Sequence, residues 1–219
     1  MMAENESLGA ADEAYRFIRD GIVSNRFPEG SRLAEEELAR LSGLSRTPVR
    51  EAIRRLAAEG FAVTKARSSA TVASWDGDKV AGLFGTRAVL ESYGCALAVR
   101  RATASDVRGL EAMCAAMEEL LAGSESDFLQ TFSQANTAFH VRLLELSGNE
   151  HLLSVAAPMI DLALIMRTYR KFSPDQIRRS CSDHREIVAA LSLGDAQWAE
   201  AIMKAHILSS VVIATSPAR

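Results

Sequence analysis

Tyr15, Ile18 and Ile22 recur at i, i+3 and i+7, a helical period that predicts an amphipathic helix from about Ala11 to Asn25. The turn-like run Phe27-Pro28-Glu29-Gly30 ends it. Leu38 and Leu41 mark a short second helix from about Ala34, and Ser42-Gly43-Leu44-Ser45 reads as a tight turn. A third helix follows with Val49, Ile53 and Leu56 as its buried stripe and Gly60 as its stop. It starts either at Thr47, with Pro48 in the first helical position, or earlier at Ser45. Beyond Gly60 the pattern changes to two β-prone runs, Phe61 to Lys65 and Ala70 to Ala73, around a small-residue turn, which predicts a hairpin. Trp75-Asp76-Gly77-Asp78 breaks both periods. From Lys79 onward only helical windows remain, at about 79–101, 105–122, 126–147, 150–171, 175–193 and 196–214. The expected fold is mainly α. Residues 1–74 form a winged helix-turn-helix, 75–79 a linker, and 80–219 an all-helical bundle of six to seven helices.

Composition narrows the class. At 48% apolar, 219 residues can bury a sizeable core, and no apolar run approaches the length of a membrane-spanning helix. The acidic N-terminus, Met1 to Ala14, lacks the basic and apolar segments of a secretory signal, so the expected location is the cytoplasm, away from membranes. Cys95, Cys114 and Cys181 are far apart, without C-x-x-C spacing, and read as reduced core residues.

The net charge of −3 conceals a local reversal. Residues 45–67 carry six basic side chains against Glu51 and Glu59, a local +4. Arg46, Arg50 and Arg54 recur every four residues and share one face of the third helix, away from the Val49, Ile53 and Leu56 stripe. One face packs while the other presents guanidinium groups to guanine edges or phosphate oxygens. This assigns base contacts to Arg46 and Arg50, backbone phosphates to Ser45 and Thr47, and the minor groove to Arg67 at the wing tip. Arg54 completes the cationic face, while Arg55 and Glu51 read as surface residues. The stretch Gly30-Ser-Arg-Leu-Ala-Glu-Glu-Glu-Leu38, followed by Leu41-Ser-Gly-Leu-Ser-Arg-Thr-Pro-Val-Arg-Glu-Ala-Ile-Arg-Arg-Leu-Ala-Ala-Glu-Gly60, resembles the signature of GntR-type bacterial transcription regulators. The resemblance implies operator contacts from the arginines at 46 and 50. The chain departs from it at Glu36, where some members carry a DNA-contacting Arg, and at Ser69, where the wing commonly has Gly.

In the bundle, His140 follows Asn136 by four residues above Leu143 and Leu144; His184 continues to Ile187, Val188 and Leu191; His206 has Ile202 and Met203 one turn back. Each points inward. Imidazoles from three helices with an amide oxygen at i−4 form a candidate divalent-metal site for zinc, nickel or a similar ion, set against the alternative of hydrogen-bonded core histidines. His151, after Gly148-Asn149-Glu150, reads as a surface or capping residue.

From about Val80 to Ala214 the chain resembles the FCD effector domain of the FadR-type branch, in Arg87-Ala-Val-Leu-Glu91, Asn136-Thr-Ala-Phe-His140, Ser147-Gly-Asn149, His184-Arg-Glu-Ile187 and Gly194-Asp195. The resemblance implies that His140, His184 and His206 are metal ligands, with Asn136 standing where metal-binding members carry Asp. It also implies that Arg87 grips a small carboxylate effector; the plainer reading of Arg87 is a surface pair with Glu91 at i+4. The resulting expectation is a homodimeric regulator, read as a repressor, on a pseudo-palindromic double-stranded operator. A regulator for which the ion itself is the signal, and a helical-bundle metalloenzyme, stand as alternatives. The enzyme reading is disfavoured because Asn136 brings no carboxylate and no general base is paired with the site, Glu91 and Asp161 being the carboxylates that could still face inward.

Overall fold

The computed structural model describes residues 9–64, 69–74, 77–122, 128–160 and 172–215. The chain divides into two compact units, Met1–Trp75 and Asp76–Arg219.

The first unit is α1 (Ala10–Val23), β1 (Arg32–Leu33), α2 (Glu35–Ser42), α3 (Arg46–Ala58), β2 (Ala62–Val63) and β3 (Ala70–Val72). Tyr15, Ile18 and Ile22 of α1 pack towards Val49, Ala52, Ile53 and Leu56 of α3, and Leu33, Leu38, Phe61 and Val72 complete the core. Gly43 ends α2 at φ 74°, a left-handed conformation natural to glycine, and lets α3 start three residues later. Ser45 is the N-cap of α3, so of the two expected starts the earlier one is found and Pro48 sits in the third helical position. The hairpin gains a strand that hydrophobic patterning did not predict. β1 pairs antiparallel with β3 through Arg32 opposite Thr71 and Leu33 opposite Ala70, so the sheet order is β1-β3-β2. The wing tip, including Arg67, lies outside the described residues.

The second unit is helical throughout: α4 (Gly77–Val99), α5 (Ala104–Ala122), α6 (Phe128–Leu146), α7 (Glu150–Ala156) with a 3₁₀ turn (Ala157–Met159), α8 (Pro174–Leu193) and α9 (Ala196–Thr215). α4 begins at Gly77, so Gly77, Asp78 and Lys79, read as linker, are helical. The helix expected over 150–171 stops at Ala156. Pro158 enters the 3₁₀ turn, and residues 161–171 lie outside the described residues. Phe132, Phe139, Leu143 and Leu144 of α6, Leu110 and Met117 of α5 and Ala88 and Cys95 of α4 are all buried. α4 and α6 approach closely because position 94 is glycine; a Cβ there would stand 2.8 Å from Leu144 Cδ2. All three cysteines are free and buried, and burial pushes the Cys114 and Cys181 thiols up to about 12 and about 11. Among the described residues, no helix is long and apolar enough to cross a membrane.

Leu56 is wholly buried at the centre of the first unit. Leu56→Ala should destabilise that unit by about 2–5 kcal/mol, read as a lower urea midpoint of its unfolding transition.

Candidate nucleic-acid interface and histidine centre

Ser45 enters α3 with extended backbone and makes no side-chain capping hydrogen bond. Arg46, Thr47, Arg50 and Arg54 are exposed along one side of the helix, opposite the buried Val49, Ile53 and Leu56. The structure adds two residues to this surface. Glu35, in the first turn of α2, accepts hydrogen bonds from Arg50 Nε at 2.9 Å and Nη2 at 2.8 Å, and its Oε2 lies 3.6 Å from Arg46 Nη2. The Arg50 fork holds the Glu35 carboxyl below its ordinary value. Arg32, on β1, joins Glu35, Arg46, Arg50, Arg54 and Ser69 around a groove of about 610 Å³. Sequence patterning missed both. A two-residue strand has no period, and Glu35-Glu36-Glu37 looks like a solvated acidic first turn. Arg55 is also more than surface: its guanidinium stacks 3.9 Å from the Tyr15 ring centroid and pairs with Asp12 at 3.1 Å and Glu59 at 3.0 Å, tying α3 to α1.

In the second unit α6, α8 and α9 deliver His140, His184 and His206 to one point, each buried, with one nitrogen from each within 4.8 Å of the others. His184 Nε2 and His206 Nε2 are 3.2 Å apart. His140 Nδ1 lies 2.6 Å from Glu91 Oε2, and Glu91 Oε1 accepts from Arg87 Nε at 2.7 Å. Arg87 and Glu91 therefore form the i+4 pair that the surface reading described, but in the interior, at 3% and 1% side-chain exposure. Burial alone would raise Glu91; Arg87 and His140 outweigh it and hold the carboxyl down to about 2. An ionised carboxylate only accepts, so the Nδ1–H of His140 must donate, which leaves the Nε2 lone pair directed away from Glu91. His206 Nδ1 stands 3.3 Å from Asp183 Oδ2, the same arrangement in longer form. Burial pushes His184 well below its ordinary value, and also lowers His140 against the opposing pull of Glu91, so both imidazoles are neutral at neutral pH.

These features fit a divalent ion. Metal–nitrogen bonds of about 2.1 Å place adjacent ligand nitrogens about 3.0 Å apart in an octahedral site and about 3.4 Å apart in a tetrahedral one, and 3.2 Å falls between. His140 Nε2 is buried and has no hydrogen-bond partner, as is Asn136 Oδ1 one turn before it on the same face. Carboxylates behind two of the three histidines are what metal-ligating imidazoles ordinarily have. Asp183 has no signal in the sequence, whereas Glu91, one of the two carboxylates that could face inward, does so against His140. His151, by contrast, is exposed on α7, whose N-cap is Asn149.

Comparison with known proteins agrees with both halves. Residues 10–72 match the bacterial regulatory proteins of the gntR family and residues 83–209 match the FCD domain. The Nta operon transcriptional regulator of Aminobacter aminovorans is 31% identical over 185 residues, covering 84% of this chain and 85% of that protein. A probable D-xylose utilization operon transcriptional repressor of Paenarthrobacter nicotinovorans is 30% identical over 200 residues, covering 90% and 85%. Among solved structures, Escherichia coli McbR/YncC shares the fold with a TM-score of 0.75 at 20% identity, over 95% of this chain and 98% of that one. The chain belongs to the gntR family of bacterial regulatory proteins, in the branch that carries an FCD domain, and is a DNA-binding transcription regulator.

Proposed function

We propose that the protein is a homodimeric repressor that reads a pseudo-palindromic operator and is controlled by a small carboxylate bound at the histidine centre. The observation that carries this reading is the coexistence, in one chain, of a cationic helix face and a buried three-histidine cluster backed by carboxylates. Arg46 and Arg50 take base edges, Ser45 and Thr47 backbone phosphates, Arg54 the flanking backbone and Arg67 the minor groove. One recognition helix spans only a few base pairs, so two copies supply the remaining specificity. Control is a coupling free energy between the DNA surface and the bundle.

His140, His184 and His206, with Asn136 as oxygen donor, are the residues that would hold zinc or nickel. The amide carries no charge where a carboxylate would carry one, which weakens the hold on a divalent cation. When bound, such an ion supplies a positive centre for an effector carboxylate oxygen. Arg87 gives its Nε to Glu91, and its terminal nitrogens serve as the second grip on the effector. Three inward histidines from three helices can hold an ion by themselves, which favours one further reading, in which the ion alone is the signal. In that case operator affinity tracks free zinc with no carboxylate added.

Arg50→Ala should weaken specific operator binding by about 1–3 kcal/mol while leaving non-specific binding nearly unchanged, measured by footprinting and fluorescence titration across the protein's own upstream region. Loss of sequence preference in the unmodified protein would end the proposal. Elemental mass spectrometry of never-chelated protein should find close to one zinc or nickel per chain, absent in His184→Ala. Asp183→Asn should keep the fold and weaken metal binding about 10–100-fold in chelator competition.

A further inference from the structure

Glu35 is an acid on a surface that binds a polyanion. It stands in the first turn of α2 and lines the same groove as Arg32, Arg46, Arg50 and Arg54. A carboxylate facing a phosphate backbone weakens binding, so its presence among these arginines calls for a reason. Folding does not supply one. α2 is anchored by the buried Leu38 and Ala39, whereas the Glu35 and Arg50 side chains are 29% and 48% exposed, and exposed pairs add little to stability.

The reason lies in which edge of Arg50 the carboxylate takes. Glu35 Oε1 accepts from Nε at 2.9 Å and Oε2 accepts from Nη2 at 2.8 Å, so both bonds fall on the side edge of the guanidinium. A guanidinium has a second parallel pair of donors along its far edge, one N–H on each Nη. Glu35 uses neither. That far edge matches O6 and N7 of guanine, which accept from Arg as a bidentate pair. Two bonds to one carboxylate fix the plane of the guanidinium as well as its position, which gives the far edge a set direction. Arg46 differs, because its Nη2 is 3.6 Å from Glu35 Oε2, beyond hydrogen-bond distance, and it is free to leave for another acceptor.

On DNA the Glu35–Arg50 pair has two conceivable fates. A carboxylate that every duplex displaces costs specific and non-specific complexes the same amount and leaves their ratio unchanged. A carboxylate that stays costs the guanine contact nothing, and it cancels the charge that would draw Arg50 to a phosphate. Only the second adds discrimination, and the unused far edge permits it. We propose that Glu35 is a specificity-determining residue of operator recognition: it keeps the side edge of Arg50 in the bound state, presents the far edge to a guanine and withholds the guanidinium from phosphates. This role rests on the reading of Arg50 as a base-contacting residue given above and adds the residue that aims it.

The full-length protein can select its own ligand from a pool of random duplexes, and fluorescence anisotropy then compares the recovered duplex with a scrambled one over a range of salt concentrations. Glu35→Gln keeps the size of the side chain and removes its charge. It should tighten binding to the scrambled duplex about three- to fivefold and weaken binding to the selected one by a similar factor, the upper scale of an exposed pair. The salt dependence on scrambled DNA should steepen by about 0.9, one further phosphate neutralised. Because Glu35 acts through Arg50, the specificity ratio of Arg50→Ala should not move when Glu35→Gln is added. Equal changes on both duplexes, an unchanged ratio, or the same fall in ratio in the Arg50→Ala background overturns the proposal. A fall of several degrees in the thermal midpoint of Glu35→Gln also overturns it, by making the pair a structural tie. If Arg50→Ala keeps the full ratio, the base-reading assignment falls as well; if Arg50→Ala loses the ratio and Glu35→Gln does not, only the role of Glu35 falls.

Discussion

The second unit is organised around a carboxylate that has no business in an apolar interior without company. Glu91 is almost inaccessible to solvent and stays ionised only because Arg87 lies one turn back on the same helix and His140 lies across from it on α6. Replacing a buried ion pair by apolar side chains of similar volume is often neutral or better for folding, so the chain of Arg87, Glu91 and His140 is not explained by stability alone. What it achieves is orientation. A permanently charged Glu91 dictates which nitrogen of His140 carries the proton, and therefore which nitrogen faces His184 and His206. The close approach of α4 and α6 at Gly94 is the backbone condition that lets this carboxylate reach that ring.

A similar division of labour runs through the first unit. α3 has one face of aliphatic side chains and another of arginines, but the arginines are not equivalent. Arg55 is spent on Tyr15, Asp12 and Glu59 and fixes the helix in place, whereas Arg46, Arg50 and Arg54 point to solvent. Glu35 gathers two of these free cations from the neighbouring helix, so the exposed fork of Arg50 is already held flat before any nucleic acid arrives. Exposed pairs of this kind are worth about 0–1 kcal/mol, small enough to exchange for a better acceptor.

The parts of this architecture that were legible in sequence are those that repeat. Buried stripes at the helical period locate nearly all the described helices, and the same inward phase locates His140, His184 and His206. Features that depend on two segments meeting were not legible. β1 is two residues long and exists only because β3 passes beside it; Glu35 matters only because α3 places Arg50 within reach. Glu91 was visible as a neighbour of Arg87, but its attachment to His140, 49 positions away, is a property of helix packing. Asp183 was hidden by its adjacency to His184, because consecutive helical residues point in different directions and its partner is on α9. The break at Pro158 was overridden by the apolar run around it.

The three cysteines carry a consequence of their own. With Cys181 at about 11 and Cys114 at about 12, on the order of one in ten thousand of the Cys181 thiols, and fewer of Cys114, is a thiolate at pH 7. The thiolate, not the thiol, attacks peroxides and disulfides, so these two buried thiols oxidise slowly. Cys114 and Cys181 therefore act as core side chains of the bundle and not as peroxide sensors.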